Sequence, residues 1–206
     1  RGHGVFLGRG ADPARMMAEI AGKEAGYCRG KGGSMHIADR ALGHLGANAI
    51  VGGGIPHVVG AGLTCRNRRS GQISVAFFGD GAMSQGILYE AMNMAALWKF
   101  PARARGFGLL AERADGADVE AVHACARSLV AAARDGRPGY LEIDAYRFFG
   151  HARMDKSPYR TPEEEAAGRA RDPLARARER IAAGGLADAA DLERIDAEAA
   201  AEMDAA

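Results

Sequence analysis

Residues 73–97 read ISVAFFGDGAMSQGILYEAMNMAAL, and this stretch decides the fold. Its first six residues are a short, continuous apolar run rich in β-formers, the pattern of a strand buried on both faces. The run stops at Gly79-Asp80-Gly81. Beyond it Ile87, Ala91, Met94, Ala95 and Trp98 form one apolar helical stripe, ended by Pro101. Strand, glycine turn and helix in succession predict an α/β domain with a parallel sheet and helices on both faces. In such sheets ligands bind beyond the carboxyl ends of the strands. The turn is a phosphate site by its physics. Gly79 and Gly81 let the backbone approach a diphosphate, and the N-terminus of the following helix favours an anion. Asp80 adds a hard oxygen ligand suited to Mg²⁺. The competing reading, a surface Asp-Gly hairpin turn, fits poorly between an apolar strand and a helix.

Outward from this stretch, the rest of the chain fills in an ordinary globular protein. Its 206 residues are 48% hydrophobic and 26% charged, enough for one sizeable domain with a core. Lys+Arg 27 against Asp+Glu 26 leaves a net charge of +1, which argues against a nucleic-acid-binding surface. No window approaches the run of apolar residues that a membrane-spanning helix needs. Cys28, Cys65 and Cys125 form no CxxC and no Cys/His pair, so neither a disulfide framework nor a zinc site is indicated. A reducing compartment, the cytoplasm, is expected. The chain opens Arg1-Gly2-His3-Gly4, without Met or a signal-like segment, and reads as a chain already in mid-fold.

Local signals place the other elements. Asp12-Pro13 starts a helix carrying Met16, Met17, Ile20 and Ala21. Residues 26–34 (GYCRGKGGS) and 45–54 (LGANAIVGGG) are glycine-rich loops, and an apolar helix runs from about Pro56 to Cys65. A further helix is predicted from about Asp118 to Arg134, and a strand over 139–146 (GYLEIDAY). Beyond Thr161 an Ala/Glu/Arg-rich tail predicts two or three helices, a C-terminal helical extension (161–206) of the domain formed by residues 1–160. Between Trp98 and Asp118 no convincing strand appears, although a parallel sheet requires one after the helix. Residues absent near Pro101–Arg105 would account for this.

Several blocks together resemble one family. GDGAMSQGILYEAMNMAALWKFP (79–101), RGHG (1–4), GKGGSMHIAD (30–39), LGANAIVGGGIP (45–56), YRFFGH (146–151) and YRTPEEE (159–165) occur in the order seen there. The chain is similar to the α subunit of the heteromeric thiamine-diphosphate-dependent E1 dehydrogenases, with wording most similar to acetoin-type subunits and pyruvate-type subunits close behind. The resemblance implies the thiamine-diphosphate-binding fold and cleavage of acetoin or a 2-oxo acid such as pyruvate. The acyl unit would pass to lipoamide of an E2 acyltransferase. It also implies an E1 β subunit in an α₂β₂ heterotetramer, which would supply the glutamate facing the aminopyrimidine.

Carried over by residue, the resemblance implies that Arg1 holds the diphosphate and that Ala49 and Val51 contact the aminopyrimidine and thiazolium region. Asp80 would ligate Mg²⁺, Gly79 would give the turn its close approach, and Gly81 and Ala82 would offer N–H groups to the diphosphate. His151 would sit near the diphosphate and the reacting centre as the catalytic histidine. His3 and His36 lie beside matched motifs, whereas His44, His57 and His123 read as structural or solvent-exposed.

The departures are Ala49 where the family has Gly, Ser84 where Asn is common, and no Asn-Asn pair to complete the metal site. Asn48, Asn67 and Asn93 are all elsewhere. Two other readings stay open: a non-catalytic scaffolding subunit, and a phosphate-ligand-binding module unrelated to thiamine diphosphate.

Overall fold

Asp12 accepts a hydrogen bond from the Arg15 amide (3.1 Å) and Pro13 occupies the first turn, so helix α2 (Pro13–Ile20) begins where its cap chemistry dictates. The protein is described from a computed structural model covering residues 2–97, 110–150, 154–155 and 159–206. These residues fall into two compact units, one within residues 1–100 together with 194–206, the other within 101–193.

The first unit holds α1 (Gly2–Gly8), α2, α3 (Gly54–Asn67) and α4 (Gly86–Leu97), with short 3₁₀ turns at Gly33–Met35 and Asp80–Ala82. One core cluster joins Phe6, Ala11, Met16 and Ile37, with Tyr27 packed edge-on against Phe6 at 4.7 Å. A second joins Ile55 of α3 to Leu88 and Ala91 of α4, with Ala76 and Phe78 packed against them. On α2 the buried side chains are Met16 and Glu19, while Met17 and Ile20 of the expected apolar stripe are exposed.

Residues 73–78 depart from expectation. They form no strand, and among the described residues none pairs with them in a ladder. Ser74 Oγ donates to the Val58 carbonyl (2.8 Å), and Ala76 and Phe78 face the α3–α4 core. Val75 and Phe77 are 55% and 66% exposed. The segment is therefore covered on one side only. An extended run becomes a strand when a neighbour pairs with it in a ladder of N–H and C=O groups, and no such ladder forms among the described residues.

The second unit holds a strand that composition hid. β1 (Leu110–Asp115, LAERAD) pairs in parallel with β2 (Gly139–Asp144) along the register Leu110↔Gly139 to Asp115↔Asp144. α5 (Val119–Arg134) crosses between them, starting at the expected Asp118 cap, which accepts the Ala121 amide at 3.1 Å. This is the α/β class expected, built here as β-α-β. Gly139 leaves room for Leu129, since a Cβ there would lie 2.5 Å from Leu129 Cδ2.

The tail comprises α6 (Pro162–Arg169), α7 (Pro173–Ala183) and α8 (Ala189–Asp204). Arg171, Arg176 and Arg180 pair with Asp115 and Asp118 at 2.6–2.9 Å, tying α7 to the carboxyl end of β1. The Ala117 amide and the Arg171 and Arg176 guanidinium groups hold the Asp115 carboxyl down at about 2.

Candidate cofactor site

The Gly79-Asp80-Gly81 turn sits in the first unit at the end of the extended segment. Ala82 is buried and anchors it, while Asp80 is exposed. A Cβ placed on Gly79 or Gly81 would meet nothing within 4 Å, so both glycines border open space. The Ala82 amide donates to the Gly79 carbonyl (3.0 Å) and the Met83 amide to the Asp80 carbonyl (2.8 Å). Among the described residues the Gly81 amide and the Asp80 carboxylate have no partner. The turn thus presents one hard carboxylate and at least one free N–H to an open face. It does not lead straight into a helix, because α4 starts only at Gly86, after the 3₁₀ turn. The dipole of α4 is displaced from Asp80 accordingly.

The loop carrying Ala49 and Val51 is brought to the same region. Asn48 Oδ1 accepts the Ile50 amide (2.9 Å), and the Gly53 amide donates to the Ile50 carbonyl (2.9 Å). Gly52 adopts φ +79°, and a Cβ on it would lie 3.1 Å from Ile87 Cγ2 and 3.5 Å from Gln85 Cβ. The loop therefore rests on the residues that open α4, just beyond the Gly-Asp-Gly turn. Ile50 and Val51 are exposed, at 71% and 55%. These are open apolar surfaces beside an open polar turn.

A third segment beside the site is the start of α1. Gly2 lies so close to Ala47 that a Cβ there would sit 2.6 Å from the Ala47 Cβ. The ring of His3 hydrogen-bonds the Ser34 carbonyl at 2.8 Å. His44 is buried against Phe6, ring centroids 4.7 Å apart, with Nδ1 unpartnered, and burial pulls its pKa down. His57 and His123 are exposed. His44 is thus a core histidine, as its sequence context implied. Arg1 and His151 lie outside the described residues, as do residues 101–105. Among the described residues no three His, Cys, Asp or Glu side chains gather as a metal cage. Asp80 contributes a single carboxylate.

One residue of this region was not picked out from the sequence. Glu19 is fully buried, and its two carboxylate oxygens accept four amides of the glycine-rich loop. Oε2 takes Cys28 (2.7 Å) and Gly30 (2.8 Å), and Oε1 takes Gly32 (2.8 Å) and Gly33 (3.0 Å). Burial works to raise its pKa, but these four donors prevail and hold it below the usual carboxylate range. Its signal was an acidic residue three positions after Met16, on the inward face of α2.

The profile of the dehydrogenase E1 component family matches residues 1–103 and 100–206. The chain belongs to the dehydrogenase E1 component family. It is 38% identical over 229 residues to the α subunit of acetoin:2,6-dichlorophenolindophenol oxidoreductase of Cupriavidus necator, covering 98% of this chain and 69% of that protein. The corresponding Bacillus subtilis subunit is 41% identical over 191 residues, 80% of this chain and 57% of its own length. The mitochondrial pyruvate dehydrogenase E1 component subunit α of Solanum tuberosum is 38% identical over 225 residues, 96% of this chain and 57% of that protein.

The chain thus spans little more than half the length of most of these relatives. Family membership implies thiamine diphosphate as cofactor, and these relatives are themselves named as α subunits. An alignment of 229 residues is longer than this 206-residue chain, so that relative carries residues within the matched region that this chain does not. The family match divides into its two segments at residues 100–103, where the sequence lacked a strand.

Proposed function

We propose that this chain is the α subunit of a thiamine-diphosphate-dependent E1 dehydrogenase, an oxidoreductase component that cleaves acetoin or a 2-oxo acid such as pyruvate. The observation that carries the reading is the packing of the 48–53 loop on the opening residues of α4, next to a Gly-Asp-Gly turn whose glycines border open space. The residues fit a diphosphate-bearing cofactor. The free Gly81 amide would bind a diphosphate oxygen, and Gly79 would permit the approach. Ala82 would seat the turn, its own N–H being engaged by Gly79. Ala49 and Val51 would give apolar contact to the rings, and Arg1 would pair with the diphosphate.

Asp80 would ligate Mg²⁺, a cation that takes one or two protein carboxylates beside phosphate oxygens. His151 would hold or deliver a proton at the reacting centre. Bound thiamine diphosphate supplies a carbon nucleophile and an electron sink. This chain's residues bind, orient and shield it. We infer further that a β subunit completes the site in an α₂β₂ assembly, that a lipoyl-bearing E2 takes the acyl unit, and that the assembly works in the cytoplasm. Residues 1–160 would form the cofactor-binding domain, with 161–206 as its helical extension. Among the described residues no helix is long and apolar enough to cross a membrane.

Calorimetric titration of thiamine diphosphate into the chain co-expressed with its β-type partner tests the reading. Binding should require Mg²⁺, and Asp80→Ala should weaken it by about 100-fold or more, the scale of losing a metal-held anion contact. Binding that is indifferent to Mg²⁺ and to Asp80→Ala would point instead to an unrelated phosphate ligand. No binding by the parent complex would leave a scaffolding subunit. Turnover of acetoin, pyruvate and branched 2-oxo acids by the same complex would then rank the substrates.

A further inference from the structure

The Glu19 carboxylate occupies a cradle of amides that in other proteins receives a phosphate or another external anion. Arg29 (φ +58°), Gly30 (φ +71°) and Gly33 (φ +58°) take the left-handed backbone that turns successive N–H groups inward. Three glycines admit nothing larger. A Cβ on Gly26 would lie 2.5 Å from Glu19 Oε2, one on Gly30 would lie 2.4 Å from the Gly22 carbonyl carbon, and one on Gly32 would lie 2.8 Å from the His36 carbonyl. Loop and carboxylate are thus built for each other. A loop this rich in glycine has a large conformational entropy to lose. Four hydrogen bonds to a buried anion are an unusually strong way to order it.

The ordered loop reaches the cofactor site along two routes within the first unit. Along one, Ser34 follows the last Glu19-bound amide, and its carbonyl binds the ring of His3, two residues after Arg1. Along the other, Cys28 Sγ donates to the Ala38 carbonyl, and the Ile37 carbonyl accepts the Ala47 amide at 3.0 Å. Ala47 in turn supports Gly2 and leads into Asn48, Ala49 and Val51. We propose that Glu19 is a positioning residue for the thiamine diphosphate site. Through the 28–33 loop it fixes both the start of α1 at His3 and the segment carrying Ala49 and Val51. This rests on the cofactor reading given above. Glu19 itself touches no cofactor.

Glu19→Gln tests the proposal because it keeps size while turning one oxygen into an NH₂ that faces two N–H donors. In the chain co-expressed with its β-type partner, the calorimetric Kd for thiamine diphosphate with Mg²⁺ should rise at least tenfold. Turnover at saturating cofactor should fall less than threefold, a split that general destabilisation does not produce. Leu129→Ala, a core truncation in the second unit, should lower the melting temperature without moving that Kd. In the cofactor-free complex, Glu19→Gln should speed hydrogen exchange at 28–33 and at 45–51 together.

A parent complex that binds thiamine diphosphate and a variant that binds within twofold of it would overturn the positioning role alone. So would faster exchange confined to 28–33. A parent that does not bind would bring down the cofactor reading and this inference with it. Should Glu19→Gln not fold, His3→Ala at the half-buried end of the first route decides. It is expected to raise the Kd threefold or more, and an unchanged Kd would overturn the relay.

Discussion

Two short extended segments in this molecule have opposite sequences and opposite fates. ISVAFF at 73–78 has strong strand formers at nearly every position, yet Val75 and Phe77 lie exposed and no ladder forms among the described residues. LAERAD at 110–115 has two alanines, a glutamate and an arginine in six residues, and it is a paired parallel strand. Intrinsic preference for the pleated state spans only about 1 kcal/mol and is mostly a measure of packing and partners. β1 has a partner in β2 and a crossover helix in α5 to cover it. Residues 73–78 have α3 and α4 on one side and no ladder partner among the described residues. A strand here is made by its neighbour more than by its own residues.

The most drastic way to break the comparison is to supply the neighbour. The relatives carry residues within the matched region that this chain lacks, and the family match divides at 100–103. Inserting the corresponding segment of the Cupriavidus necator subunit between residues 100 and 105 should convert 73–78 into a paired strand. The amides of Val75 and Phe77 should then exchange roughly 100-fold more slowly or better, as they pass from open backbone into a cooperative ladder. The amides of 112–114 should keep the protection they already have. Unchanged exchange at Val75 and Phe77 would show that the missing residues are not what leaves this segment unpaired.

Much of the molecule was legible without coordinates, and the failures share a cause. The caps Asp12 and Asp118, the helices they open and the strand over 139–144 follow from local chemistry, and the structure places each within a residue or two. The Gly-Asp-Gly segment was legible as a turn, which the structure forms as the 3₁₀ turn Asp80–Ala82, although the strand expected before it does not form. β1 was not, because its stability comes from cross-strand contacts with residues about thirty positions on. Glu19 was hidden for a similar reason. One glutamate among twenty-six acidic residues gives no local sign that four amides nine to fourteen positions ahead will converge on it. Periodicity did mark its face of α2, but Met17 and Ile20 drew the apolar stripe to the wrong side.

Acid should separate the two units by different amounts of proton uptake. In the first unit His44 is buried with an unpartnered Nδ1, and its pKa falls below 6.5. A histidine depressed in the folded state favours folding while neutral. That contribution is present above 6.5 and is lost as pH falls through the unfolded value and below it. In the second unit Asp115 drops from 3.8 to about 2, so its contribution is whole above 3.8 and is lost only as pH falls toward 2. Protection factors measured between pH 7 and 5, with the intrinsic exchange rate divided out, should therefore fall around Phe6 and His44 while those of β1 and β2 hold. His44→Phe should remove that fall. Equal sensitivity of both units above pH 5 would contradict this ordering.

The smallest effect tests whether β1 needs its charged residues at all. Arg113 and Glu142 face each other across the parallel register, Nε to Oε1 at 3.2 Å, with both side chains more than half exposed. An exposed pair of this kind contributes about 0.2–1 kcal/mol, because water screens it and two long side chains lose rotamer freedom. Arg113→Ala should accordingly cost no more than about 1 kcal/mol in chemical denaturation. The Arg113/Glu142 double-mutant cycle should give a coupling that shrinks as salt is raised. If the pairing of β1 instead depended on its composition, this substitution would melt the strand, and exchange at 112–114 would approach that of 75 and 77. A small, salt-sensitive coupling with the ladder intact would place the stability of β1 in its backbone pairing and in the cover given by Leu129 and Ala132 of α5. That is the term residues 73–78 lack on their open side.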